Sequence, residues 1–364
     1  MLKRLHLRNF TVFADAEFEF GAGLNVLVGA NGTGKTHVLK AGYVGEYARN
    51  SPRELLDFEE ETNDKLTYAL AWVNSLRRTL FDVFLLDALK PLIRKNATET
   101  IVETTFNFPE EETSFKINYG DGADRYKAGS LDIKTDEISL IIGNKNKDCV
   151  FIPAKEVLTL GWIFALYDRR EIPVDKTYPD ILKLLMGPPL RQPEPAHIVE
   201  KLAQLIGGKV EEEGGHFYLS APDQPRLEMN LVAEGMRKFA TLYKLLANGT
   251  LTPETTLFWD EPEANLNPAL LKEMAAVLTD LAEAGFQIIL ATHSLFLLKE
   301  LHILAQAGKA PVRYFGLSAQ PGEAVTVATA DNLELLPDIV ALDAELEQAD
   351  RFQRVLDQAD ANRN

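Results

Sequence analysis

Two short segments, far apart in the chain, carry side chains suited to a phosphorylated ligand. The first, Gly29-Ala30-Asn31-Gly32-Thr33-Gly34-Lys35-Thr36, fits the pattern GxxxxGK[ST]. It lies between the apolar run Leu24-Asn25-Val26-Leu27-Val28 and a helical stretch from Thr36 to about Tyr47, the strand-loop-helix setting of a phosphate-binding loop. Small residues such as Gly29, Gly32 and Gly34 let phosphate approach backbone N–H groups of the loop, including those of Asn31 and Thr33, at a helix N-terminus. Lys35 supplies a point charge for the β- and γ-phosphates, and Thr36 a hydroxyl for magnesium. The second segment, Thr256-Leu257-Phe258-Trp259-Asp260-Glu261-Pro262, reads as a buried strand ending in two carboxylates. Strand carboxyl ends meet at the ligand crevice of a parallel sheet. Asp260 is thereby placed to hold the magnesium shell, and Glu261 to orient or deprotonate an attacking water.

A third segment follows directly. Glu263-Ala264-Asn265-Leu266-Asn267-Pro268 turns into a helix with Leu270, Leu271, Met274, Val277, Leu278 and Leu281 on one face. Asn267 suits the N-cap, Pro268 the first helical position and Gly285 the end. The next apolar run, Phe286-Gln287-Ile288-Ile289-Leu290-Ala291-Thr292, is a second buried strand, ending at His293. From a strand beside the acidic one, His293 can donate to a γ-phosphate and report its presence.

In order and spacing these residues resemble the ABC-type ATPases, in the soluble branch containing the RecF, SMC and OLD-like proteins and the small ATPases associated with phage defence. The resemblance rests on Leu5-His6-Leu7-Arg8-Asn9-Phe10, the 29–36 loop, the 260–268 segment and Ala291-Thr292-His293-Ser294. It implies an α/β P-loop NTPase fold of ABC-ATPase type, with a mixed central sheet, an antiparallel β-subdomain and a helical insertion. It also implies ATP and Mg2+ as cofactors, with ATP sandwiched between the two protomers of a homodimer or within a higher homo-oligomer. Each protomer would contribute its P-loop to one nucleotide and a signature segment to the other. The best signature candidate is Val232-Ala233-Glu234-Gly235-Met236-Arg237-Lys238, opening a helix with Met236, Phe239, Ala240, Leu242 and Leu246 inward. Ala233 departs from the family's serine and removes one donor. Glu234 and Gly235 still suit a helix N-terminus aimed at phosphate, Arg237 or Lys238 can restore charge, and Lys238 is expected to act across the dimer. The position of a Q-loop glutamine is left open.

The 364 residues suffice for one ATPase core with an inserted subdomain or for two modest domains, and 46% hydrophobic content fills a packed interior. The single cysteine, Cys149, excludes an intramolecular disulfide and a cysteine-built zinc site. Met1-Leu2-Lys3-Arg4-Leu5-His6 shows no signal peptide, and no apolar stretch approaches the roughly 20 residues of a membrane span. A cytoplasmic protein without a membrane partner is expected. The net charge of −16 disfavours duplex DNA, which is bound through clustered cations that release counterions. The basic spots Arg77-Arg78, Lys145 with Lys147, and Arg169-Arg170 read as solvated or locally paired, leaving nucleic acid possible but weakly indicated.

Along the chain, residues 1–47 and 230–330 read as the ATP-binding core, 48–229 as inserted helical and β segments, and 331–364 as a C-terminal amphipathic helix. A helix is expected over 64–95, broken at Pro91, then antiparallel strands over 100–108, 113–119, 126–133 and 149–153, and a hairpin around Gly214-Gly215. The helix over 64–95 lacks sustained heptads, which excludes long coiled-coil arms. The last helix carries Leu342, Leu346, Ala349, Phe352 and Leu356 on one stripe, either packed on its own domain or docking an effector. After His293, 71 residues remain, too few for the TOPRIM nuclease that OLD-like relatives append. The expectation is therefore an ATPase controlling a separately encoded nuclease or toxin. The alternatives are a RecF-like DNA-repair ATPase, a low-turnover ATP-gated sensor, and, third, a transporter ATPase subunit.

Overall fold

The computed structural model describes residues 1–50, 65–86, 90–107, 110–118, 131–135, 149–167, 173–320 and 322–337, with 347, 348, 350–355, 357 and 358. Strands β1 (Leu2–Phe10) and β2 (Phe13–Glu19) alternate buried and open positions, with Leu5, Leu7 and Phe10 inward, as expected of a hairpin lying on a core by one face. β3 (Leu24–Gly29) is buried throughout and leads through the loop into α1 (Lys35–Asn50). After α2 (Lys65–Phe84) come β4 (Glu99–Asn107), β5 (Glu110–Asn118), β6 (Leu131–Thr135) and β7 (Val150–Ile152). Helices α3 (Trp162–Tyr167), α4 (Thr177–Leu185) and α5 (Ala196–Ile206) precede β8 (Lys209–Glu213), β9 (His216–Ser220) and β10 (Leu227–Glu228). Then follow α6 (Glu234–Ala247), β11 (Thr256–Asp260), α7 (Pro268–Glu283) and β12 (Gln287–Thr292). The series closes with α8 (Leu295–Gln306), β13 (Val312–Ser318) and β14 (Thr326–Ala330).

The architecture is α/β. A six-stranded sheet runs β14-β13-β3-β12-β11-β7, parallel except for β14 at one edge. A five-stranded antiparallel sheet, β2-β1-β4-β5-β6, lies against it, and β10-β9-β8 forms a third, smaller sheet. β3, β11 and β12 are buried at every position, so consecutive side chains enter different cores. Trp259, Ile288 and Leu290 join the core with α4 to α8; Phe258, Ile289 and Ala291 join the core with α1 and the antiparallel sheet. Close packing of α1 between the sheets depends on small residues: a Cβ at Gly42 would lie 2.8 Å from Phe258 Cε1. Gln287 ties the sheets together, its Nε2 donating to Leu2 O at 2.7 Å while its Oε1 accepts from Leu2 N at 2.9 Å.

Helix α7 starts as its sequence demands, with Asn267 Oδ1 accepting from Leu270 N at 3.0 Å and Pro268 behind it. The 209–220 hairpin turns through Gly214 (φ 60°) and Gly215 (φ 82°), the left-handed pair of a tight turn. Three expectations need correction. The segment 149–153 is not one of the antiparallel strands: Val150, Phe151 and Ile152 are covered and pair parallel to β11, extending the central sheet beyond segments 1–47 and 230–330. A three-residue apolar run carries no period that would distinguish the two. Helix α2 ends at Phe84 rather than near Lys95, where Leu85 adopts φ 51°. Of the strand expected over 126–133, residues from Leu131 on form β6, and residues 126–130 lie outside the described residues. The helix expected over 331–364 does not begin at 331: residues 331–337 form bends and one short 3-10 turn, Leu333–Leu335. The described residues from 347 on are helical, with Phe352 and Val355 exposed; Leu342, Leu346, Ala349 and Leu356 lie outside the described residues.

Candidate active site

The parallel strands β3, β11 and β12 end side by side, and their carboxyl ends deliver the site. Register pairs Asp260 with Ala291, and Thr292 with Val28, so the phosphate loop, the acidic pair and His293 emerge at one edge. Gly29 packs so closely that a Cβ there would strike the Leu317 carbonyl and Thr33 Oγ1. Gly34 has φ 87° and sits against Val12 and Phe13 of the β1–β2 turn. Gly32, at φ 83°, has open space before it, and Asn31 beside it is exposed. Thr33 stays inside, its Oγ1 donating to Ala30 O at 2.9 Å.

Lys35 is buried and donates to Gly29 O at 2.7 Å and Ala30 O at 3.0 Å. Burial pulls its pKa down, opposed by the charges of Glu261, Asp260 and Glu263. Thr36 Oγ1 donates to Asp260 Oδ2 at 2.9 Å, joining the first turn of α1 to the end of β11. Asp260 is 8% exposed, and burial pushes its pKa up to about 6, with help from Glu261 and Glu263. Both residues expected to hold magnesium thus meet through oxygen atoms.

Glu261 turns the chain out of β11 in a left-handed conformation, φ 49°, which costs a non-glycine residue roughly 1–2 kcal/mol. Its N–H donates to Ala291 O at 2.9 Å. Its Oε1 lies 3.4 Å from Nδ1 of His293, whose side chain is 49% exposed. Glu263, nearly buried, accepts from Thr292 Oγ1 at 2.6 Å and from His293 N at 3.0 Å.

Helix α6 touches this turn from the other side. Glu234 Oε1 accepts from Asn265 Nδ2 at 2.8 Å, and a Cβ on Gly235 would lie 3.0 Å from Asn265 O. Ala233, at the N-cap, gives no side-chain cap. Lys238, expected to act across a dimer, turns inward along its own chain. It is 4% exposed, and its Nζ donates to Glu261 O at 2.7 Å and Ala154 O at 3.4 Å within the same chain. Helical spacing explains this: Lys238 falls on the stripe of the buried Gly235 and Leu242. Burial lowers its pKa to about 8. Arg237 also turns inward, pairing with Glu156 at 3.1 Å.

Several residues here escaped the sequence reading. Lys40, one turn beyond Thr36 on α1, pairs with Asp175 at 3.1 Å; that spacing was its only signal. Tyr178 on α4 is raised to about 12 by burial, then by Asp175 and Asp260, and no local pattern marks it. Glu263 stood in plain view three residues past Asp260, and Glu156 follows the end of β7.

The strand order and these motifs define an ABC-type P-loop ATPase fold. Comparisons narrow the class. Residues 4–152 match a family model described as "AAA domain", and residues 174–299 one described as "AAA domain, putative AbiEii toxin, Type IV TA system". A 62-residue stretch is 44% identical to the DNA replication and repair protein RecF of Pediococcus pentosaceus, covering 16% of this chain and 17% of that protein. Another of 66 residues is 41% identical to the DNA repair protein RecN of Aquifex aeolicus, covering 17% and 13%. The chain thus spans less than a fifth of the curated relatives it matches. Among solved structures, the Smc head bound to the C-terminal winged-helix domain of ScpA superposes with TM-score 0.53 at 16% identity, covering 92% of this chain and 98% of that one. An Smc head with an extended coiled coil, bound to the C-terminal domain of ScpA derived from Pyrococcus furiosus, also gives 0.53, at 12% identity with 97% and 99% covered. At such identities the likeness speaks for fold alone. Together the two family models, the RecF and RecN stretches and the Smc-head fold support an ABC-type P-loop ATPase of the RecF/SMC branch.

Proposed function

We propose that this chain is a magnesium-dependent ATP hydrolase of the cytoplasm that closes as a homodimer around two ATP molecules and uses that cycle to control a separate nuclease or toxin, in phage defence or DNA maintenance. The observation that carries the hydrolase reading is the Thr36–Asp260 pair, 2.9 Å apart, beside Glu261 and His293. A hydroxyl and a carboxylate are hard oxygen donors of the kind magnesium takes, and the raised pKa of Asp260 marks a buried carboxylate that a cation would relieve. Bound there, the metal would neutralise phosphate charge.

The remaining chemistry belongs to the chain. Lys35 and the loop N–H groups hold the phosphates, Glu261 orients a water, and His293 donates to γ-phosphate charge as it develops. Glu234 lies exposed at the start of α6, with Gly235 packed behind it, on the surface a second copy would meet. If each nucleotide touches both protomers, ATP favours the closed dimer by differential binding and hydrolysis removes that bias.

Support for a separate effector comes from the toxin–antitoxin description of the model matched by 174–299 and from the exposed Phe352 and Val355 of the carboxyl-terminal segment. A RecF-like role in DNA repair is the second reading, favoured by the RecF stretch. The net charge of −16 weighs against it, as do Arg77 and Arg78, which are engaged locally with Phe81 and Asp82.

The test is ATP hydrolysis by the parent and Glu261→Gln proteins, with light scattering to size Glu261→Gln in ATP and magnesium. The expected result is loss of turnover and a trapped dimer; parental turnover in Glu261→Gln would overturn the assigned chemistry. Purifying Glu261→Gln from its host with its bound chains then separates the readings. A nuclease or toxin supports effector control, and repair proteins support the RecF-like role.

A further inference from the structure

Glu261 has to be held in its backbone conformation by its surroundings, because its φ of 49° lies in a region that residues with a Cβ avoid. Both of its main-chain polar groups are engaged. The N–H donates to Ala291 O at 2.9 Å, and the carbonyl accepts from Ala264 N at 3.2 Å within its own turn and from Lys238 Nζ at 2.7 Å. Of these partners, only Lys238 comes from outside β12 and the turn. Its amine also reaches Ala154 O, two residues past β7, so one buried side chain joins α6, the segment after β7 and the turn that carries the carboxylate.

We infer that Lys238 is a positioning residue for hydrolysis: by holding the Glu261 carbonyl it fixes the left-handed turn that points the carboxylate toward His293, and it makes that aim depend on the placement of α6. This rests on the proposed catalytic role of Glu261. Both hydrogen bonds of the Lys238 ammonium end on main-chain oxygens, Glu261 O and Ala154 O. The same helix begins at Glu234 and Gly235, which pack on Asn265 of the turn. A shift of α6 therefore moves Lys238 relative to Glu261, and anything that engages the start of α6 is relayed to the water-orienting group of the same chain.

The test measures kcat, KM and the affinity for a non-hydrolysable ATP analogue in the full-length parent, Lys238→Met, Lys238→Arg and Glu261→Gln. Methionine fills the space without a donor; arginine can still donate to the Glu261 carbonyl. Lys238→Met is expected to lose on the order of 10- to 100-fold in kcat, since a misplacement of about 1 Å is enough for that. KM and analogue affinity should stay within about threefold, which distinguishes positioning from binding. Lys238→Arg should regain part of the loss, and a crystal structure of Lys238→Met should show Glu261 leaving positive φ. Parental kcat in Lys238→Met beside an inactive Glu261→Gln overturns the inference and leaves the hydrolytic reading intact. Parental kcat in Glu261→Gln overturns both. A loss of analogue affinity equal to the loss of kcat also overturns it. Should Lys238→Met melt below the assay temperature, Lys238→Leu, which also lacks a donor, serves the same comparison.

Discussion

Glu263 grips His293 from behind: its Oε1 accepts the His293 backbone N–H at 3.0 Å and lies 3.5 Å from Nδ1 of the same residue. The carboxylate is buried, and among the described residues its other oxygen has no hydrogen-bond partner. Glu263 therefore orients a ring whose far side is open to the crevice. Glu263→Gln retains one acceptor oxygen but turns an amide into the unpartnered position. It is expected to cost about 1–3 kcal/mol of stability and to lower kcat with little change in KM. Urea unfolding and steady-state kinetics check both; an unchanged kcat would separate Glu263 from the placement of His293.

Asp260 provides a pH signature. Its folded pKa of about 6 lies above the ordinary value of 3.8, so folding favours the protonated acid. That contribution is fully present below about 4 and lost as pH rises through 6. The gap corresponds to roughly 3 kcal/mol, which the metal-free protein gives up at neutral pH. Asn mimics the protonated acid, so Asp260→Asn is expected to melt higher than the parent at pH 7.5 in chelator, with the difference shrinking toward pH 5. Melting curves at the two values check it; a lower Tm for Asp260→Asn at pH 7.5 would contradict it.

The sequence revealed the parts that depend on local pattern. Strands β3, β11 and β12 were legible because burial on both faces writes a continuous apolar run, and α7 because Asn267 and Pro268 mark its start. The meeting of Thr36 with Asp260 was legible because loop spacing and strand ends bring them together. What tertiary approach decides was not legible. A lysine near a helix start reads as solvated or as a charge offered outward, and only the packing of α6 on the turn after β11 turns Lys238 inward. β7 is too short to show a period, and its place beside β11 follows from pairing across more than a hundred residues of chain.

Gly29 tests how tightly the loop is built. A Cβ there would meet the backbone carbonyl of Leu317 on β13, which cannot rotate away as a side chain can. Gly29→Ala is expected to push β13 from β3, costing about 1–3 kcal/mol as overpacking does, and to weaken nucleotide binding because the loop hangs from that junction. Thermal melting and nucleotide titration of the same preparation check it; parental values in both would mean the strands part without cost.

Arg237 and Glu156 make the last case. Their side chains are 15% and 5% exposed and pair at 3.1 Å, while Glu156 also accepts from Leu158 N and from Thr159 Oγ1. Removing one partner of such a pair leaves a buried charge and costs about 3–5 kcal/mol, whereas an apolar replacement of both can be nearly neutral. Arg237→Met alone is therefore expected to destabilise more than Arg237→Met with Glu156→Leu, less whatever the lost Leu158 and Thr159 bonds contribute. A double-mutant cycle by urea unfolding measures the difference. Among the described residues Arg237 Nε has no hydrogen-bond partner, so the pair is not the fully satisfied network that would make the double variant costly. If the double variant is the less stable of the two, the ion pair is a structural clamp between β7 and α6 that hydrophobic packing cannot replace.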